Sequence, residues 1–571
     1  MRIPGILPAM LPVFCIAVLA ACQPQEQAPT PVAVAERIDA DNIRAHMEFL
    51  ADDLLEGRDT GERGYAIAAQ YFATQCKLMG LEPAGDEGSY FQQVTFRRST
   101  FDSGEAALTL DGKTQALSIP GDIVMTGSYN AKEETANGGI VFVGWGISAP
   151  EFGYDDYANV DVEGKIVMLV RRGAPESFPS EERAYYSSSS YKLGEAVRRG
   201  AKGLILVSTP EAQERYTWER VQGYASHGGL EWMSPDGSVP SAHPELKVTA
   251  LLSYDLQARV LENAPMPLAD ILEKLKAGEP VSFALPASLD VTRRSSWEEV
   301  TSSNVACVLP GSDPALRDEY VLFSGHLDHV GIDEGDDDPE GEGEDHIYNG
   351  AYDNATGIAV MLEVARVFTT LPEAPKRSLL FLAVTAEEKG LLGSEYWAAN
   401  PTVPIEKVSA NVNLDMPVLT FPLADVIAYG AEHSELGDIV REQSATQGLE
   451  LSPDPWPEQV IFVRSDQYSF VKAGVPAVFL VPGWTSTDPA IDGEARMQTF
   501  MDEHYHEVSD DLALPFDMDS AQRFAAANFL IGLEVANRAG MVKWNAGDFF
   551  GKRFASDDRI LEATASLAAG K

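Results

Sequence analysis

Cysteine, histidine and basic residues are all scarce in this sequence. Its 571 residues include four Cys, nine His and 43 Lys plus Arg, against 87 Asp plus Glu. Four cysteines exclude a disulfide framework as the main source of stability. The shortage of positive charge leaves a formal net charge of −44. That excludes a nucleic-acid-binding surface, because phosphates would be repelled. Long apolar runs are missing beyond LPVFCIAVLAAC near the start, so no later segment is a candidate membrane span. No GxSxG occurs, which removes a serine-hydrolase elbow. His506-Glu507 opens like HExxH, but Asp510 stands where the second histidine belongs, so a single-zinc site of that kind is unsupported. The stretch DEGDDDPEGEGED, 333–345, lacks the spacing and terminal glutamate of an EF-hand loop. It reads as a solvated acidic segment.

The remaining composition is that of a globular protein, with 45% apolar and 23% charged residues. The length suggests two domains behind a leader. The apolar run near the start is short, which suits a signal peptide better than a membrane span. LAAC, ending at Cys22, precedes a polar QPQEQAPTP and resembles a bacterial lipoprotein signal. That resemblance implies cleavage before Cys22, a lipid on its thiol and export. Gln23 after the cysteine suits retention in an outer membrane, facing the periplasm. Cys76 and Cys307 then remain, expected as small buried apolar residues that could pair in an oxidising compartment.

The expected organisation is a signal peptide over 1–21, a tether over 22–35, a catalytic domain over 36–121 and 286–571, and an insert over 122–285. DNIRAHMEFLADDLL and YAIAAQYFATQCKLMG read as helices, the second closed by Gly80. Short alternating strands are expected from about Phe91. The insert shows strand, strand, helix, strand in GGIVFVGWGI, KIVMLVRRG, SYKLGEAVRRGAKG and LILVS. It resembles the protease-associated domain, above all in ISAPEFGYDDYANVDVEGKIVMLVRRG. From about 286, apolar strands alternate with helices such as ATGIAVMLEVARVF. The fold class is therefore α/β, a mainly parallel central sheet covered by helices, with an inserted mixed α/β unit.

Ligands of open α/β sheets sit beyond the carboxyl ends of the strands. YVLFSG ends in His326-Leu327-Asp328, SLLFLAVTA in Glu387-Glu388 and VNL in Asp415. Asp353 precedes a helix, and His506 follows the last strand. Asp353 could instead cap that helix, a role Asn354 can fill. Carboxylates packed so closely need cations. Imidazole with carboxylate suits zinc. The ligand count gives two metals sharing Asp353, one completed by His326 and Asp415, the other by Glu388 and His506. His504 competes with His506 for the last place. Asp328 could accept the second N–H of His326. Adjacent side chains at a strand end diverge, so Glu388 can face a metal while Glu387 takes a proton from the bridging water. Arg464, Tyr468 and Tyr505 are candidates for contacting substrate or a tetrahedral oxyanion. Arg464 could equally pair with a structural acid.

Together GHLDHVG (325–331), GAYDNATG (350–357), TAEEKGLLGS (385–394), NLDMP (413–417) and YHEVSDD (505–511) resemble the co-catalytic zinc peptidases of family M28. That family includes bacterial aminopeptidases, glutamate carboxypeptidase and the inactive transferrin receptor. The resemblance implies the same ligand roles, Glu387 as base, two zinc ions per chain and release of single residues from peptide ends. An aminopeptidase is the expected activity. A carboxypeptidase or other amidohydrolase on the same scaffold is the alternative, and a noncatalytic binding lipoprotein the alternative of another class. In RSDQYSF (464–470), Gln467 stands where bacterial members suggest histidine, a departure expected near the substrate mouth.

Overall fold

A computed structural model describes residues 29–226, 228–332 and 345–562. The leader with Cys22 and the acidic stretch up to residue 344 lie outside the described residues. A sheet of 16 strands runs through the molecule. At its centre lie Tyr320–His326, Ser378–Val384, Val408–Asn413 and Ala477–Pro482, almost wholly buried. Burial on both faces explains why they read as continuous apolar runs rather than alternating ones. They pair in parallel, with His326 opposite Val384, Ser324 opposite Asn413, and Asn413 opposite Phe479. This register brings their carboxyl ends to one rim. Strand Asp425–Tyr429 pairs antiparallel to Ala477–Pro482, with the edge strand Glu450–Ser452 beyond it.

Helices cover both faces. On one, Ala40–Leu50, Thr356–Thr369 and Met518–Asn537 bury Ile43, Ile358 and Phe529 in the largest apolar core. On the other, Leu392–Ala399 and Gln467–Lys472 bury Trp397 and Phe470. Asp39 and Asp517 cap their helices by accepting from the N–H groups of Asp41 and Ser520, satisfying donors that have no partner inside a helix. Among the described residues, no helix is long and apolar enough to cross a membrane.

Beyond Ser378–Val384 the sheet continues through Ser282–Leu309 into Glu133–Val143, Ile166–Val170, Gly203–Val207 and Val248–Leu252. The last four are mutually parallel and have their own core around Phe142, Met168 and Ile205. That core also takes in Ala106, Leu108, Leu289 and Val291. These belong to two long antiparallel strands, Phe91–Leu110 and Ser282–Leu309, paired from Phe91–Val305 to Leu110–Ala287. The short strands expected after Phe91 are thus one long strand. Asp102 and Gly104 look like turn residues in sequence, but continuous pairing, with a register shift at Arg294/Ser295, carries the strand past them.

Cys76 and Cys307 are joined in a disulfide rather than lying as two lone thiols. Helix Arg63–Leu78 packs on strand Ser282–Leu309 with their Cα atoms 6.3 Å apart, within the reach of such a bond.

Candidate functional site

The site grows from the strand rim. His326, the last residue of its strand, is fully buried. Its Nε2 lies 3.0 Å from Asp415 Oδ1 and 3.1 Å from Asp353 Oδ1. The other oxygen of Asp353, Oδ2, lies 3.2 Å from His506 Nε2, which is 3.1 Å from Glu388 Oε2. Two sets of three donors therefore share one aspartate, each of whose oxygens serves one set. Residues 353, 388 and 506 come from distant parts of the chain. His504 is turned elsewhere, its Nδ1 2.8 Å from Ser509 Oγ.

Glu387 and Glu388 diverge because Ala386 takes a left-handed conformation, φ 56°, which an alanine holds only under local constraint. The constraint is Asp328. Its carboxylate accepts from the N–H groups of Glu387 and Glu388 at 3.2 and 3.3 Å and from Thr60 Oγ at 3.3 Å. It does not accept from His326, as the sequence suggested. His326 Nδ1 instead meets the main-chain oxygen of Asp328 at 3.1 Å, because the carboxylate is already committed to the turn. Glu387 faces the cavity that also holds His326, Asp353, Asp415 and His506.

The charges do not balance. Asp353, Glu387, Glu388 and Asp415 gather around His326, His329 and His506, so a negative charge remains even with all three imidazoles protonated. Burial, reinforced by Glu388, Asp415 and Asp466, pushes Glu387 well above the usual carboxylate range. Against their own burial, hydrogen bonds with the two histidines hold Asp353 well below it, and Asp353 and Glu388 raise His506 to about 10. Divalent cations would remove this conflict. The donor separations of 3.0 to 3.2 Å approach the ~3.3 Å edge of a tetrahedron around an ion with ~2.0 Å bonds. The donor set fits zinc.

Several supporting residues escaped the sequence reading. Arg58 is fully buried and donates to the main-chain oxygens of Leu327, Asn349, Gly350 and Leu50. It ties the His326 loop to the segment carrying Asp353. The only sequence signal was an arginine among glycines in EGRDTG. Gly57 is obligatory there, since a Cβ would sit 2.1 Å from the oxygen of Gly331. Asp510 accepts from the N–H groups of Tyr352 and Asp353 at 3.0 Å. Asn354 Oδ1 accepts from Gly357 N and Met416 N, which leaves Asp353 free of the capping role. His329 Nδ1 lies 2.8 Å from Glu388 Oε1. Ser465 Oγ donates to Asp415 Oδ2 at 2.6 Å.

The cavity, about 370 Å³, has apolar walls that include Met416, Val418, Tyr429, Phe479 and Trp484. Arg464 and Tyr505 line it, and the Tyr505 ring stacks on His506 at 4.0 Å. Arg464 reaches Gln459 and, among the described residues, forms no ion pair within 4.0 Å. Tyr468 does not line the cavity. It is packed among Val471 and Phe550, because the helix starting at Gln467 turns it to the opposite face. Gln467 is likewise buried rather than at a substrate mouth, bridging Asn413 Nδ2 and the oxygen of Phe462.

Residues 304–531 match the model of Peptidase family M28. A "Probable zinc metalloprotease" of Pyrenophora teres f. teres is 36% identical over 120 residues, 20% of this chain and 23% of that protein. "Aminopeptidase YwaD" of Bacillus subtilis is 25% identical over 317 residues, 54% of this chain and 53% of that protein. The chain thus spans from about a quarter to about half the length of these curated relatives. Among solved structures, an aminopeptidase from Aneurinibacillus sp. strain AM-1 is similar at a TM-score of 0.48 and 19% identity, over 90% of this chain and 97% of that one.

Proposed function

We propose that this protein is an exported, lipid-anchored exopeptidase that works with two zinc ions and removes residues from peptide amino termini. The observation that carries the reading is Asp353 between His326 and His506, each histidine closing a separate triad of donors. His326, Asp353 and Asp415 would hold one ion, and Asp353, Glu388 and His506 the other. Zinc bound there supplies Lewis acidity, polarising the scissile carbonyl and lowering the pKa of water.

The remaining chemistry falls to the chain. Glu387 sits in the cavity with its carboxyl pushed above the usual carboxylate range by burial and by its acidic neighbours, the direction that suits a general base which must also return the proton. It takes the proton of the attacking water and returns it to the leaving amine. Asp328 fixes the turn that aims Glu387 and Glu388. Tyr505 and Arg464 flank the place where charge grows on the carbonyl oxygen.

An amino terminus suits this cavity better than a carboxyl terminus. Among the charged lining residues outside the proposed ligand set, Glu387 and Asp502 offer carboxylates to an ammonium against one guanidinium, Arg464, a balance that favours an amine over a carboxylate. The apolar walls favour an apolar terminal side chain. The unit between the two long strands is proposed as a protease-associated insert beside this site. Export is supported by the leader and by the Cys76–Cys307 bond, which persists in oxidising compartments.

Glu387→Gln tests the base. Turnover should fall by at least ~100-fold, while zinc content per chain stays at the wild-type level. Retained activity would reject the assignment. Blocking the amine of a dipeptide should abolish hydrolysis and blocking its carboxylate should not; the opposite pattern would indicate a carboxypeptidase.

A further inference from the structure

A second convergence of ligand-type side chains lies away from this cavity, where helix Ser180–Ser187 of the inserted unit meets the turn Ala431–His433. Glu181, Glu432 and His433 each offer one ligand atom, and the three atoms lie within 4.8 Å of one another. His433 is only 7% exposed. Its ring stacks on Phe462 at 4.9 Å and meets Phe550 edge-on at 5.1 Å, so it cannot turn freely. Nδ1 lies 2.6 Å from Asp548 Oδ2. Nε2 is buried and has no hydrogen-bond partner among the described residues. With Nδ1 held by Asp548, Nε2 is the ring atom left for the two glutamates.

Three carboxylates thus surround one imidazole, so the cluster stays negative even if the ring is protonated. An unpartnered buried nitrogen is also costly. Both problems vanish if a cation occupies the gap. A carboxylate on Nδ1 is the usual means of fixing the tautomer that presents Nε2 to a metal. One imidazole with two carboxylates suits zinc or a similar borderline ion better than calcium.

We propose that Glu181, Glu432 and His433 form a divalent-metal site of zinc type, with Asp548 orienting the imidazole. The site shares no residue with the catalytic cavity and is independent of the exopeptidase reading. It clamps the inserted unit to the peptidase sheet. Phe462, stacked on His433, adjoins Ile461 and Arg464, which line the cavity. Filling the site would therefore stiffen one cavity wall.

Metal counting on the full-length protein tests this. Wild type, Glu181→Gln and His433→Gln are dialysed to equilibrium against zinc and analysed for ions per chain. Each variant should bind one ion fewer than wild type, and zinc should raise the melting temperature of wild type more than that of either variant. Glu181→Gln alters only a half-exposed carboxylate, so its count stands even if His433→Gln disturbs packing around Phe462. Equal counts in wild type and Glu181→Gln would overturn the proposal and leave His433 as an imidazolium held by its carboxylates.

Discussion

Asp353 meets two demands at once. Its oxygens serve His326 and His506 separately, and its main-chain N–H is held by Asp510. The converging residues were legible because apolar strands that end in His326, in paired Glu387-Glu388 or in Asp415 carry polar groups to one rim. Their supports were not, because Arg58, Asp510 and His329 act through main-chain atoms or through another side chain, contacts that no local pattern encodes. Arg58 gives the sharpest test. Arg58→Met would strand four carbonyls and leave nearby Asp510, Asp353 and Asp328 without a buried counter-charge. A loss on the order of 3 kcal/mol is expected, read from the denaturant midpoint, together with weaker zinc retention. An unchanged midpoint would remove Arg58 from the account. A pH effect arises at Glu231, whose carboxyl burial pushes up from 4.5 to about 7 despite a hydrogen bond from Ser241. The folded protein then holds more protons than the unfolded chain between those values, so this group's contribution to stability declines as pH rises from 4.5 through 7. Glu231→Gln should gain about 1–3 kcal/mol at pH 8 relative to wild type, and little at pH 4. Equal gains at both would refute the linkage.

Secondary-structure elements place these residues by register. The parallel pairing that sets His326 beside Val384 puts Glu387 and Glu388 one turn beyond the same rim. Buried parallel strands announce themselves as apolar runs, so this half of the fold was legible. Strands Phe91–Leu110 and Ser282–Leu309 were not, because their continuity comes from pairing partners nearly two hundred residues away and not from their own composition. The disulfide was hidden for a similar reason: its cysteines are 231 residues apart. It fastens the C-terminal end of helix Arg63–Leu78 to the sheet. Replacing Cys76 and Cys307 together by serine should cost about 2–5 kcal/mol, measured by chemical unfolding with and without reductant. If reductant shifts wild type no more than the double variant, the bond contributes nothing.

The whole molecule carries 44 surplus negative charges, yet it concentrates several of its buried carboxylates around one small cavity. Repulsion of that kind survives in a folded protein only where something positive offsets it. The sequence located the two histidines and four of the acids involved, while the way the long strands pass between the two cores emerged only in three dimensions. The most direct measurement is anomalous diffraction from crystals of the zinc-loaded protein. The account predicts two zinc peaks flanking Asp353, one within bonding distance of His326 and Asp415, the other of Glu388 and His506. A single peak, or none, beside Asp353 would contradict it.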